Sequence, residues 1–253
     1  MKKCLLQAEK LKKEFHQGNC VNTVLNQTDL EIFEKDFTII MGASGSGKST
    51  LLYAVSGMDR VTDGKVFYRD IEISGLKERQ MAKLRSQEFG FVFQQTHLVS
   101  NLTLMENILV AGYLSQKEKP DAVRKHTEHF LEQMNIQNAG NRLPSQVSGG
   151  EAQRAAIARA MIGKPGILFA DEPTGALNRS NTIEVLNLLT DINRSGQSIL
   201  MVTHDTRAAI RGNRILYLED GKILDELTLP VYSELDEKER ETAISQWLTK
   251  MHW

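Results

Sequence analysis

The nine residues Gly42-Ala43-Ser44-Gly45-Ser46-Gly47-Lys48-Ser49-Thr50 constrain this chain more than any other stretch. They follow the apolar run Phe37–Met41 and precede Leu51, Leu52, Tyr53, Ala54 and Val55. The order reads as strand, glycine-rich turn and helix, the context in which G-x-x-x-x-G-K-[ST] becomes a phosphate site. Three glycines let backbone N–H groups converge on an anion, and the helix that follows adds the positive end of its dipole. Lys48 then reaches the β- and γ-phosphates of a nucleotide, and the Ser49 hydroxyl serves as a Mg²⁺ ligand. A merely flexible Gly/Ser loop explains neither the Gly47-Lys48-Ser49 ending nor the strand before it.

The 253 residues suffice for one large domain or one domain with an inserted lobe. A hydrophobic share of 41% and a charged share of 25% describe an ordinary globular protein. The net charge of -1 offers no basic excess to neutralise phosphates, so no nucleic-acid partner is expected. Cys4 and Cys20 form neither a disulfide framework nor a zinc set, and a reducing compartment suits them. Met1 to Leu6 has basic residues with no apolar stretch behind them, which is not a signal peptide. No run approaches the ~18 apolar residues of a spanning helix. The expected location is cytoplasmic unless a partner places the chain on a membrane.

Residues 1–41 read as strands, with a polar loop from His16 to Asn19 and alternation through Leu25, Leu30, Ile32 and Phe33. Phe15 stands beside that loop, and on its own reads as a core or strand residue. An Asp63-Gly64 turn, a short strand Lys65–Tyr68 and a polar helix from Lys77 to Arg85 come next. The apolar run Phe89–Phe93 ends in Gln94 and Gln95. An amide there can extend toward a metal or a water, or be simply solvated.

From Leu98 to about Ala160 the pattern turns helical, with Thr103 at a cap position. Pro120-Asp121 opens a helix with an apolar stripe of Val123, Phe130, Leu131 and Met134, and His126 and His129 read as solvated. Val147-Ser148-Gly149-Gly150-Glu151 begins a further helix, where Ser148 and Glu151 make a capping box. The two glycines in its first turn cost helix stability and free N–H groups for an anion. Ile167–Glu172 is a buried-strand pattern ending in two carboxylates. Asp171 suits Mg²⁺ beside Ser49, directly or through a second shell, and Glu172 suits a base that orients water. Ser198–Val202 repeats the pattern and aims His204 at the same sheet edge, within reach of a γ-phosphate. Ile215–Leu224 is a hairpin with a D-G turn, and a charged helix starts at Ser233 with Ala243, Ile244, Trp247, Leu248 and Met251 on one face. Packing of that face on its own domain is favoured over a partner surface.

These residues, in this order, resemble an ATP-binding cassette subunit through about Leu227. Gly42–Ser49 matches the Walker A loop, Gln94 the Q-loop glutamine and Val147–Glu151 the signature motif. Asp171 matches the Walker B aspartate, Glu172 the catalytic glutamate and His204 the switch histidine, and Phe15 falls where the family has an adenine-stacking aromatic. Within the family, Phe91–Gln94, Leu102-Thr103, Ala170–Gly175 and Val202–Asp205 are similar to the subgroup of lipoprotein-releasing, macrolide-exporting, antimicrobial-peptide-resistance and cell-division members. Two departures stand out: Asn178 replaces the usual D-loop aspartate, and Glu151 stands where glutamine is frequent.

The resemblance implies an α/β fold: a P-loop core, an antiparallel β layer and an inserted α-helical subdomain. The ATP-binding domain then spans 1–228, with core 1–94 and 161–228, helical subdomain 95–160 and a C-terminal extension at 229–253. It implies Mg²⁺-dependent ATP hydrolysis by two copies facing head to tail, with Ser148, Gly149, Gly150 and Glu151 of one closing on the nucleotide of the other. It also implies a membrane permease contacted near Gln94–Leu102, which holds the chain at the inner face of the membrane. Export or clearance of an antimicrobial peptide, drug or lipid-linked substrate is the expected output. The rival is a cell-division-type ATPase that signals through a membrane partner without transport.

Overall fold

A computed structural model of the chain describes residues 2–18, 20–251 and 253, with Gln17 described by its backbone alone. The strands in chain order are β1 (Cys4–Gln17), β2 (Cys20–Phe33), β3 (Phe37–Met41), β4 (Asp63–Tyr68), β5 (Ile71–Glu72), β6 (Phe89–Phe93), β7 (Ile167–Asp171), β8 (Ser198–Val202), β9 (Arg214–Glu219) and β10 (Lys222–Thr228). The helices are α1 (Lys48–Val55), α2 (Glu78–Glu88), α3 (Leu104–Ser115), α4 (Pro120–Gln133), α5 (Gly149–Met161), α6 (Arg179–Arg194), α7 (Thr206–Ala209) and α8 (Glu237–Lys250). Two compact units result: Met1–Met81 with Gly196–Trp253, and Ala82–Ser195.

The first unit holds two sheets. One is antiparallel in the order β2-β1-β4-β5, with Leu6, Ala8 and Leu11 of β1 and Leu25, Leu30 and Ile32 of β2 among its buried side chains. In the other, β3 runs parallel to β8 on one side and β9 on the other, and β10 returns antiparallel to β9. Every residue of β3 and β8 is buried, which is why both read as unbroken apolar runs and not as alternation. The β9–β10 turn has Asp220 at φ 47 and Gly221 at φ 69, the two positive values a type I′ hairpin requires.

Two details of this unit differ from the sequence pattern. Asp63-Gly64 is not a turn: β4 begins at Asp63, which pairs with Lys12 after a register shift. A Cβ on Gly64 would lie 2.5 Å from the Lys10 carbonyl oxygen, so this glycine serves a bulged close approach of two strands. The loop expected over His16–Asn19 is shorter, because His16 pairs with Val21 and Gln17 with Cys20; Asn19 lies outside the described residues.

The C-terminal extension packs on the unit that carries it. Ser233 caps a 3-10 turn over Glu234–Asp236, and α8 starts only after that turn. Ile244, Trp247 and Leu248 are buried, with the Trp247 ring edge-on to Tyr217 at 6.2 Å and its Nε1 donating to Asp225 Oδ2 at 2.8 Å. Arg240, only 3% exposed, donates to the Ile210 carbonyl at 2.7 Å, the Pro230 carbonyl at 2.8 Å and the Gly212 carbonyl.

In the second unit β6 and β7 pair in parallel from Phe89↔Ile167 to Phe93↔Asp171. Phe169 anchors them, edge-on to Phe89 at 5.3 Å and stacked on Phe91 at 5.4 Å. α3, α4 and α5 pack on one another as a helical cluster. A full capping box, Thr103 with Glu106, starts α3. Proline at the first position starts α4, whose buried stripe is Val123, Thr127, Leu131 and the following Met134. Phe130 is only half-buried, because the i, i+4, i+8 line runs through Thr127.

Candidate active site

In the first unit, β3 delivers the chain to Gly42 and α1 leaves from Lys48. Gly47 starts α1 at φ 101, a left-handed value that a residue with a Cβ adopts only under strain. No side chain caps that helix and no acid sits in its first turn. The loop is braced from behind. Gly221 N donates to the Ser46 carbonyl at 3.2 Å, and Val24 lies against Gly47, where a Cβ would come 3.1 Å from its oxygen. Lys48, 9% exposed, turns Nζ onto the Gly42 and Ala43 carbonyls at 2.7 and 2.9 Å. That places a buried ammonium over the loop's own backbone. The Ser46 hydroxyl is buried without a partner, a further polar atom consistent with a ligand in the cradle.

β8 is in register with β3, Val202 opposite Ile40, so His204 and the glycine-rich loop leave the same edge of this unit's sheet. Thr203 N bonds the Ile40 carbonyl at 3.1 Å, and the Thr203 hydroxyl accepts from Asp205 N at 3.0 Å, fixing the backbone on both sides of His204. Phe15 pairs with Asn22, two residues along β2 from Val24. Its ring is 45% exposed, with Lys13 Nζ 4.9 Å from the centroid. The structure therefore gives Phe15 an open face, unlike the core position that its strand context suggests.

In the second unit, Phe93 opposite Asp171 puts Gln94 and Glu172 at one end of the parallel pair. Glu172 has φ 46, and Gly175 N closes a turn onto its carbonyl at 3.0 Å. A left-handed acidic residue at a strand end is strained backbone of the kind found where a side chain must be aimed. The Gln94 amide lies on Gly175, where a Cβ would come 2.9 Å from Nε2.

The start of α5 is a complete capping box. Ser148 Oγ accepts from Glu151 N at 3.2 Å and donates to Glu151 Oε2 at 2.7 Å, and Ser148 N donates to the same oxygen at 2.8 Å. The backbone bond from Ser148, then its hydroxyl, hold the Glu151 carboxyl below the usual glutamate range. Gly149 is open, with nothing nearer a Cβ than Leu177 at 3.7 Å. Gly150 has a packing reason of its own, since a Cβ there would meet the Asn181 amide at 2.4 Å. Asn178 caps α6 by accepting from Asn181 N at 3.0 Å, the work an aspartate would do at that position.

No three His, Cys, Asp or Glu residues cluster as a metal cage among the described residues. His126 bonds Glu118 at 2.6 Å, away from His129. Hard oxygen donors of the kind Mg²⁺ takes are present in each unit, the Ser49 hydroxyl in the first and the Gln94 amide oxygen and Asp171 carboxylate in the second.

The motif pattern missed Gln153, Arg159 and His97. Gln153 is 1% exposed and donates to the Phe93 carbonyl at 2.9 Å, and Arg159 donates to the Thr96 and His97 carbonyls at 2.7 and 2.6 Å. A glutamine leading into the run Ala155-Ala156-Ile157-Ala158 was the available signal.

Residues 25–175 match the ABC transporter family profile. Over 224 residues the chain is 40% identical to the lipoprotein-releasing system ATP-binding protein LolD of Aquifex aeolicus (strain VF5), covering 88% of this chain and 98% of that protein. It is 37% identical over 224 residues to the macrolide export ATP-binding/permease protein MacB of Pasteurella multocida (strain Pm70), and there it spans 34% of the relative's length. Among solved structures it resembles the dimeric bacterial ABC transporter cassette MJ0796, with a TM-score of 0.84 and 34% identity over 90% of this chain and 100% of that one. A dimeric post-hydrolysis state of the same cassette, bound to ADP and Pi, gives a TM-score of 0.83 at the same identity and coverage. A buried lysine in a braced phosphate loop, the ordered motifs and these likenesses lead to one conclusion: the chain belongs to the ABC transporter ATPase family.

Proposed function

We propose that this chain hydrolyses ATP as one of two head-to-tail copies and so drives a separate membrane permease. The observation that carries the reading is the start of α1: an uncapped helix end, a glycine-rich loop braced from behind, and Lys48 Nζ buried over it. In this reading Lys48 meets the β- and γ-phosphates, Phe15 stacks on adenine and His204 bonds the γ-phosphate. Ser49, Gln94 and Asp171 hold Mg²⁺, which neutralises phosphate charge when bound. Glu172 orients the attacking water as general base, so catalysis rests on positioning and electrostatics. Ser148, Gly149 and Gly150 of the second copy close on the nucleotide, with Glu151 supporting that turn.

Residues 1–228 are read as the cassette domain, core 1–94 and 161–228 with a helical subdomain at 95–160, and 229–253 as an extension. No helix among the described residues is long and apolar enough to cross a membrane. In this reading a permease holds the chain at the membrane's inner face. Val99, 49% exposed within the Gln94–Leu102 segment, supports contact there. The named roles of the relatives, lipoprotein release and macrolide export, favour a lipid-linked, drug or peptide cargo.

Glu172→Gln tests the central claim. It should retain ATP binding, lose nearly all steady-state turnover and elute as a dimer with ATP. Turnover near wild type would overturn the assignment. Val99→Asp should reduce co-purification of the permease while thermal stability and basal turnover of the isolated subunit persist.

A further inference from the structure

The loop that carries Gln94 is held in an unfavourable shape by α5. His97 has φ 47, a left-handed conformation that strains a residue with a Cβ. Its neighbours over-determine it. Arg159 spans two successive carbonyls, Thr96 and His97, at 2.7 and 2.6 Å. The His97 ring stands edge-on to Phe93 at 5.2 Å, and buried Gln153 takes the Phe93 carbonyl one residue before Gln94. No carboxylate pairs with Arg159 among the described residues, and burial lowers its pKa, so the cation is desolvated to serve neutral carbonyls. A planar fork presents its N–H groups to two adjacent oxygens in a fixed geometry, which an aliphatic side chain cannot do and a flexible ammonium does without that fixed orientation.

We propose that Arg159, assisted by Gln153, is a positioning residue for Gln94, locking the Gln94 loop to α5 so that the two move as one body. This rests on the roles proposed above for Gln94 and for the α5 start. The helix from Ser148 to Arg159 is a stiff lever of about 16 Å. Displacement of its first turn by a second copy's nucleotide is thereby carried to the amide at this copy's own site. Gly175, on which the Gln94 amide lies, backs that amide within the same unit.

The test compares Arg159→Ala, Arg159→Lys and Gln153→Met with the full-length wild type, using MgATP. In Arg159→Ala, backbone hydrogen exchange over residues 94–99 should speed at least about tenfold, with α3 and β7 unchanged. The same variant should lose about ten- to a hundredfold in kcat, with KM for ATP held within about threefold, since misplacing a site group by an ångström costs on that scale. Arg159→Lys should fall between, keeping the charge and losing the rigid fork, and Gln153→Met should follow in the same direction with a smaller loss. If Arg159→Ala fails to fold, the lysine and methionine variants carry the test. Faster loop exchange with unchanged kcat would overturn the proposal. So would a parallel fall of kcat, ATP affinity and melting temperature, the mark of a structural role only. Absence of MgATP turnover in the wild type would instead defeat the proposed function, while the exchange data would still report whether Arg159 holds the loop.

Discussion

The starts of α1 and α5 are both glycine-rich, and both read as phosphate-facing, yet they are built in opposite ways. α1 has a left-handed glycine before it, no side-chain cap, no acid in its first turn and a buried lysine. α5 has Ser148 and Glu151 bonded to each other and to the turn's own N–H groups, with a carboxylate at its positive end. An uncapped end leaves its donors to a ligand, whereas a capped one is complete by itself. The difference teaches that a side-chain cap completes one glycine-rich turn locally and is missing from the other. In the proposed function, the capped turn meets nucleotide only when a second copy brings it.

Lys48→Ala should break the α1 side of this contrast with the largest effect. Loss of a charge-assisted phosphate contact is worth about 2–3 kcal/mol, or roughly 30- to 150-fold in ATP affinity by titration. The remaining variants act at α5 and should leave the affinity of the isolated subunit for ATP nearly unchanged. Gly150→Ala brings a Cβ against the end of the Asn181 side chain, which must turn aside, and should cost at most about 1 kcal/mol of stability, read as a lower melting temperature. Gly149→Ala has room and should leave the melting temperature unchanged or slightly raised, yet weaken ATP-driven dimerisation in light scattering. If both glycine variants behave alike, the first turn of α5 has no ligand-facing side.

Ser148→Ala removes the cap and should cost about 1 kcal/mol in denaturant unfolding. Glu151→Gln should have the smallest effect, under about 1 kcal/mol, because the amide still caps. Its signature is pH dependence. The folded-state pKa of Glu151 lies below the ordinary value near about 4.3, so its contribution is complete above that value. It fades as pH falls through the lower folded value, and thermal melts across that window should be flatter for the glutamine variant than for wild type.

Local chemistry was legible without coordinates. The strand–loop–helix at Phe37–Val55, the cap at Thr103, the capping box at Ser148, the proline start of α4 and the Asp220-Gly221 hairpin all depend on neighbours within a few residues. So did the likeness of the ordered motifs to the ABC family. Contacts between distant segments were not legible, because a local window carries no information about what will lie against it. Arg240 reads as one charge in a charged helix, yet its guanidinium is buried in the carbonyls of Ile210, Gly212 and Pro230. Gly64 reads as a turn residue and instead lets β4 approach β1.

The same limit governs the site. Residue types and order identified Lys48, Asp171, Glu172 and His204 as candidates, and the resemblance to the cassette family added Gln94. Only the tertiary structure decided which groups hold them. Register set Val202 opposite Ile40 and Phe93 opposite Asp171. Packing gave Gly150 its Asn181 neighbour, and folding brought Arg159 to carbonyls 62 and 63 residues earlier in the chain. A strand, a turn or a cap satisfies its polar groups within its own segment and can be written locally. A loop held away from its preferred backbone shape needs partners from elsewhere, and only the completed fold supplies them.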